Sequence, residues 1–386
     1  MGTRVAIVHD YLNQRGGAER VALVLAHMWP QAPVYTTLYR AGSTFGEFAQ
    51  HDVRTSRLDR VPVDRRFRAL LPLYPAAVRS LGVVDADLVV SSSSGWAHGV
   101  RTRPGATHVC YCHTPARWLW DPAAYTTSVR DRMLLEPALR RLRRWDRRAA
   151  TRPTAYIANS ARTARAIERV YGLLAPVIPP PVRLDGLDPT PGGERLLVVS
   201  RLLPYKRVDL AVEAANRSGL PLDVVGVGPE LAALRARAKA NVVFHGAVDD
   251  RKLKALLEGC RMLLLPGVED FGITPIEANA AGKPVVAFGA GGVLESQVEG
   301  VSAVFFGQPT ADALLDAIER VGLLTSTPAQ RRANAERFGP DAFAARLHGE
   351  IARVLRGESL LPSAAQKFTR EPAPATAAYA ASMAST

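Results

Sequence analysis

The chain has 386 residues, 47% hydrophobic and 22% charged, so a single ordinary core would not hold it and two domains are expected. Lysine and arginine outnumber aspartate and glutamate by 49 to 36, a net charge of +13 that suits anionic or phosphate-bearing partners, although an arginine-rich coding bias yields the same balance. No apolar run reaches the roughly 20 residues that cross a bilayer as a helix. The start, Met1-Gly2-Thr3-Arg4 before Val5-Ala6-Ile7-Val8, lacks a long apolar leader core and reads as a first strand. Cys110, Cys112 and Cys260 are too few for a disulfide framework and read as buried, reduced thiols of a cytoplasmic protein.

In chain order, short β-type apolar runs alternate with longer helical stretches, the pattern of a parallel sheet wrapped by helices. In the first half, strands are predicted at residues 4–9, 33–37, 86–91, 107–112 and 155–159, and helices at 18–28, 66–81, 129–150 and 161–171. Pro179-Pro180-Pro181 and the Asp-, Pro- and Gly-rich stretch 185–193 suit an interdomain linker, because proline stiffens the backbone and cannot donate to a ladder. The alternation then restarts, with strands at 195–200, 222–227, 242–245, 262–265, 284–288 and 303–306. Helices between them are predicted at 207–218, 229–239, 249–259, 274–281, 293–298 and 310–321.

The fold class is therefore α/β, with two Rossmann-like doubly wound domains at 1–182 and 183–340. An amphipathic helix within 341–356 is expected to pack back on the N-terminal domain, and 357–386 reads as a disordered tail rich in Ala, Ser, Thr and Pro. Sheets of this kind bind ligands at their strand carboxyl ends, so a cleft between the domains is the expected site.

Four stretches hold candidate chemistry. After the first strand, Gly16-Gly17 opens a helix whose bare N–H groups suit an anion, although the pair alone is more often a tight turn. It matches neither the dinucleotide fingerprint nor a P-loop. After the first strand of the second half, Arg201 and Lys206 lie on a strand-to-helix turn; cations at a helix start are disfavoured unless an anion visits. In Glu269-Asp270-Phe271-Gly272-Ile273-Thr274-Pro275-Ile276-Glu277, Glu269 leaves a strand where it suits sugar hydroxyls, and Phe271 to Thr274 offer backbone N–H groups at a helix start. Glu277 reads first as the end of a capping box opened by Thr274 with Pro275 behind it. His113 ends a strand, where an imidazole could bond a hydroxyl or move a proton, or could equally be structural.

These stretches, with Val225-Gly226-Val227-Gly228-Pro229, Phe244-His245-Gly246 and Ala281-Gly282-Lys283-Pro284-Val285, in this order resemble the family-4 retaining glycosyltransferases of GT-B fold. The resemblance runs from about Val5 to about Leu355. It implies that Gly16, Gly17 and Gly226 approach the donor, that Arg201 and Lys206 bind its diphosphate, and that Glu277 holds the ribose, with Phe271, Gly272, Ile273 and Thr274 alongside. It further implies that Glu269 contacts the transferred sugar, that His113 sits near the reacting sugar, and that transfer proceeds with retention and without a metal or other cofactor. The stretch Tyr111-Cys112-His113-Thr114-Pro115-Ala116-Arg117-Trp118-Leu119-Trp120-Asp121 is similar to the branch with GDP-mannose-dependent mannosyltransferases. The expected partners are a nucleotide sugar and a glycan or lipid-linked acceptor.

Asp85-Ala86-Asp87 has the form of a metal-holding D-x-D but introduces a strand and reads as a turn, and Asp249 reads as a helix cap. The arginines between Arg130 and Arg152, beside Leu134, Leu135, Leu139, Leu142 and Trp145, suit an anionic membrane face as well as they suit a solvated helix, and 67–74 adds a second basic-aromatic stretch. No nucleic-acid recognition module accompanies the charge. Two rival functions stay open: a nucleotide-sugar epimerase of the same architecture, and a non-catalytic glycan- or nucleotide-binding protein.

Overall fold

The structure is a computed structural model that describes residues 2–61, 70, 72–121 and 129–358, with the backbone alone for 129–135. The tail expected at 357–386 from residue 359 onward, half of the basic-aromatic stretch at 67–74, and the start of the helix expected at 66–81 lie outside the described residues. The chain divides into two compact units, one of Met1–Pro181 with the last helix and one of Val182–Pro340.

The first unit runs β1 (Val5–His9), α1 (Gly17–Met28), β2 (Val34–Thr36), β3 (Val53–Thr55), α2 (Tyr74–Ser80), β4 (Val83–Val84), β5 (Leu88–Ser93), β6 (Arg101–Thr102), β7 (Thr107–Cys112), α3 (Arg117–Trp120), α4 (Val129–Ala149), β8 (Ala155–Ala158) and α5 (Ala161–Tyr171). Its main sheet has the order β3-β2-β1-β5-β7-β8, and every neighbouring pair is parallel. Helices cover both faces, so the central strands are buried on both sides and read as unbroken apolar runs such as Val5-Ala6-Ile7-Val8. Helix α5 shows the local logic: Ser160 caps the Thr163 N–H, Gly172 closes the helix at φ 71°, and Ala164, Ile167 and Val170 form the buried stripe.

The second unit repeats the plan with β9 (Leu196–Val199), α6 (Val208–Ser218), β10 (Leu222–Val225), α7 (Leu231–Arg237), β11 (Val242–Gly246), α8 (Asp250–Gly259), β12 (Met262–Leu265), α9 (Ile273–Ala280), β13 (Val285–Phe288), α10 (Val293–Ser296), β14 (Ala303–Phe306), α11 (Ala311–Arg320) and α12 (Pro328–Glu336). Its strand order, β11-β10-β9-β12-β13-β14, is the same as in the first sheet and again parallel throughout. The last helix, α13 (Pro340–Leu355), buries Phe343, Leu347, Ile351 and Val354 in the core of the first unit.

The edge strand β3 and the short pair β4 and β6 were not anticipated, and neither was α12. The reason in α12 is that its buried face is Arg331, Asn334 and Ala335, which leaves no apolar period to detect. Asn334 instead donates to Asn279 Oδ1 at 3.1 Å and to the Ser296 carbonyl at 2.8 Å, and Arg331 donates to the Gly282 carbonyl at 2.8 Å. Asp249 caps α8 by accepting from the Lys252 N–H at 2.7 Å.

Lys283 ties the entry segment of the second unit in place. It is 1% exposed, and its Nζ donates to the carbonyls of Thr190 at 2.8 Å and Pro191 at 2.7 Å. Burial holds its ammonium below the usual lysine range. Replacing it removes the hydrogen bonds to both carbonyls, so Lys283→Met should lower the unfolding free energy by about 1–3 kcal/mol, measured by denaturant titration.

Candidate active site

A doubly wound sheet opens a crevice where its strand order reverses, outside the carboxyl ends of the strands on either side. In the second unit that point lies between β9 and β12. The loop leaving β9 holds Arg201, which is exposed, and a 3-10 turn over Pro204–Lys206. The loop leaving β12 holds Glu269. The two loops touch: a Cβ on Gly267 would come within 2.6 Å of the Lys206 Cα and of the Tyr205 carbonyl, so only glycine fits there. This approach brings Lys206 Nζ into an ion pair with Glu269 Oε1, with Lys206 buried and Glu269 half-buried. The next residue, Arg207, has φ 50°, a left-handed conformation held by its guanidinium on Asp209 at 3.1 Å.

Helix α9 starts from this loop, and its start corrects the capping expectation. The helix begins at Ile273 after Gly272, whose φ of 86° turns the chain inward, and no side chain caps it. Thr274 lies inside the first turn, so no capping box forms there and Glu277, which is buried, does not play that part. The same residue pattern does form a capping box at Thr327 and Gln330, where no glycine turn precedes it. The N–H groups at the start of α9 thus lack a side-chain cap and suit an anion. The Phe271 ring is packed on Phe338 with centroids 5.5 Å apart, leaving its backbone as the part suited to a ligand.

Two other motif residues have structural partners. Gly226 donates its N–H to the Gly246 carbonyl at 2.8 Å. His245 Nε2 lies 2.7 Å from Asp223 Oδ1, while Arg195 Nε lies 2.7 Å from Asp223 Oδ2. Burial pushes the Asp223 carboxyl up, but the hydrogen bonds from Arg195 and His245 outweigh it and hold it below the usual range.

In the first unit the reversal lies between β1 and β5, and here the structure joins His113 to partners that the sequence did not reveal. Ser91, Ser92 and Ser93 end β5, and all three are buried against histidines. Ser91 Oγ lies 2.8 Å from His108 Nε2, Ser92 Oγ lies 2.8 Å from His113 Nε2 and 3.1 Å from His9 Nδ1, and Ser93 Oγ lies 3.3 Å from His98 Nδ1. Asp10 follows β1 and accepts the N–H groups of Ser94 at 2.6 Å, Trp96 at 2.8 Å and Ala97 at 2.7 Å, which shapes the loop after β5. Asp146 of α4, fully buried, accepts from Trp120 Nε1 at 2.7 Å and Tyr171 Oη at 2.9 Å, with His98 Nε2 3.2 Å away. Gly16 is the N-cap of α1 and Gly17 its first residue; Gly17 is exposed.

Helix α4 turns Leu139 and Leu142 into the core, so these leucines do not face outward. Its opposite face sets Arg141, Arg144 and Arg148 with Trp145 around a cavity of about 430 Å³. Trp145 also lines a cavity of about 330 Å³ with Pro75, Arg79, Arg101 and Arg152. Burial and the charges of Arg101 and Arg79 lower the Arg152 pKa. Asp85 is bonded to Arg4 at 3.1 Å, and Asp87 pairs with Arg103 and accepts the Arg4 N–H at 2.7 Å. Among the described residues no helix is long and apolar enough to cross a membrane.

Both units thus have the architecture of nucleotide-binding α/β domains, with polar residues gathered at the strand ends where such domains take ligands. Two family models match the chain in succession, Glycosyltransferase Family 4 over residues 15–185 and Glycosyl transferases group 1 over residues 188–338. The chain belongs to the family-4 glycosyltransferases of GT-B fold. O-antigen chain mannosyltransferase C of Escherichia coli is 30% identical over 165 residues, 40% of this chain and 44% of that protein. Mouse alpha-1,3/1,6-mannosyltransferase ALG2 is 34% identical over 121 residues, 30% of this chain and 29% of that protein. Glycogen synthase of Mycobacterium tuberculosis is 34% identical over 160 residues, 39% of this chain and 38% of that protein. The chain spans less than half the length of these curated relatives. Among solved structures, Anabaena HepE in complex with UDP and glucose superposes with a TM-score of 0.68 at 19% identity, covering 91% of this chain and 100% of that one.

Burial, with the charges of His98 and Arg152, drives the His108 pKa down from 6.5 to about 3. The unfolded chain therefore binds a proton that the folded chain refuses between these values, and stability falls as pH falls through that window. From about pH 7.5 to about pH 5 the protein should lose about 2 kcal/mol through this residue. In His108→Asn that part of the pH dependence should vanish, as read from denaturant curves at the two pH values.

Proposed function

We propose that the chain transfers mannose from GDP-mannose to a hydroxyl of a glycan or lipid-linked acceptor, with retention of configuration and without a metal. The observation that supports it best is the contact of the β9 and β12 loops, which joins Lys206 to Glu269 beside the uncapped start of α9. Arg201, Lys206 and the N–H groups of Gly272, Ile273 and Thr274 are the groups suited to the donor diphosphate. Glu277 takes the ribose. Mannose is favoured because mannosyltransferases are among the relatives, in Escherichia coli and mouse.

Electrostatic stabilisation of the departing nucleoside diphosphate supplies most of the rate. Glu269 is held in an ion pair with Lys206, which weakens it as a nucleophile and leaves it to bond the transferred sugar. The acceptor hydroxyl attacks the anomeric carbon from the side the phosphate leaves, the bond from that carbon to the phosphate oxygen breaks, and the phosphate oxygen takes the hydroxyl proton. His113 bonds the reacting sugar. The acceptor is reached at an anionic membrane face through the arginines around Trp145.

Arg201→Ala and Lys206→Ala should each reduce kcat/KM by about a hundredfold or more with an unchanged circular dichroism spectrum; full activity would overturn this site. A panel of nucleotide sugars, read by released nucleoside diphosphate with membrane extract as acceptor, should show turnover of GDP-mannose, undiminished by EDTA. Turnover of a different donor alone would refute the assignment of mannose, and donor conversion without acceptor would point to an epimerase. In flotation, vesicles containing acidic lipid should carry the protein upward while neutral vesicles leave it behind.

A further inference from the structure

The hydrogen bonds around Ser92 fix where the protons lie on two buried histidines. His9 and Ser92 are direct partners across β1 and β5, and both are essentially without solvent contact. His9 Nδ1 lies 3.0 Å from the Ser92 carbonyl, which can only accept, so Nδ1 bears a proton. The same N–H also points at Ser92 Oγ, 3.1 Å away. The Ser92 hydroxyl proton cannot go toward a nitrogen that is already donating. Its other ring partner is His113 Nε2 at 2.8 Å, which must therefore accept. Behind His9, Glu19 Oε1 lies 3.9 Å from His9 Nε2 and accepts from Gln14 Nε2 at 2.9 Å, while Glu19 Oε2 is buried with no hydrogen-bond partner.

We propose that His9 and Ser92 are positioning residues that hold His113 as the neutral tautomer protonated on Nδ1. The Nε2 lone pair is taken by the Ser92 hydroxyl, and Nδ1 already bears hydrogen. His113 then has no lone pair with which to take a proton from an acceptor hydroxyl, so it is never a general base. This fits the transfer above, in which the leaving phosphate takes that proton, and it rests on the placement of His113 at the reacting sugar.

The test is the ring-nitrogen spectrum of the full-length protein labelled with nitrogen-15 histidine, with His113→Gln assigning the signals. The expected result is a protonated Nδ1 and a hydrogen-bonded, unprotonated Nε2 for His113. Ser92→Ala should shift His113 toward the Nε2-protonated form and lower kcat about tenfold with KM nearly unchanged, using the donor that the panel selects. Ser92→Thr, which keeps the hydroxyl, should restore both. An Nε2-protonated His113 in the unaltered protein would overturn the proposal, as would a Ser92→Ala variant with an unchanged His113 spectrum. If the spectra behave as expected while His113→Gln keeps full kcat, the relay stands and the placement of His113 at the sugar falls.

Discussion

Parallel pairing is the constraint from which the positions of all the candidate residues follow. When every strand of a sheet runs the same way, each strand delivers its following loop to the same edge, and the reversal in strand order parts two of those loops. In the second unit the parted loops follow β9 and β12, and they bring Lys206 to Glu269. In the first unit they follow β1 and β5, whose register sets His9 against Ser92. The two sheets share one strand order, so one topological feature builds both polar strand-end edges from unrelated side chains.

Those edges require polar groups to be buried, and the structure pairs many of them. Asp10 and Asp146 each collect several donors, and the β5 serines meet His9, His98, His108 and His113. A buried polar group without a partner costs free energy comparable to a lost hydrogen bond, so such clusters hold their members in single orientations. That rigidity is what allows the proton positions on His9 and His113 to be deduced. Surface arginines obey the opposite rule. Arg141, Arg144 and Arg148 stand around Trp145 on the outer side of a helix whose Leu139 and Leu142 face inward, and their role is tied to what comes to that surface.

Much of the fold was legible because central strands of parallel sheets are apolar on both faces and helices carry a regular buried stripe. The strands β7, β12 and β14 and the helix α5 agree with the sequence reading at both ends. What escaped it was short, marginal or polar. Strand β3 is an edge strand with Val53 as its sole apolar residue, and α12 docks through Asn334 and Arg331 rather than through leucines. The motif residues were visible, but their partners were not. Nothing in a linear string says that Lys283 reaches Thr190, that His245 answers Asp223, or that the β5 serines exist to hold histidines.

The sequence by itself determined the α/β alternation, a linker at the proline run 179–181 and the places where glycines and charges leave the strands, since these depend on local periodicity and backbone chemistry. The tertiary structure decided which of those charges meet. Lys206 pairs with Glu269 only because two loops cross at a glycine, and Glu277 is released from capping only because Gly272 starts the helix early. Contacts between residues distant in the chain are set by strand order and register, and those are properties of the packed sheet rather than of any segment within it.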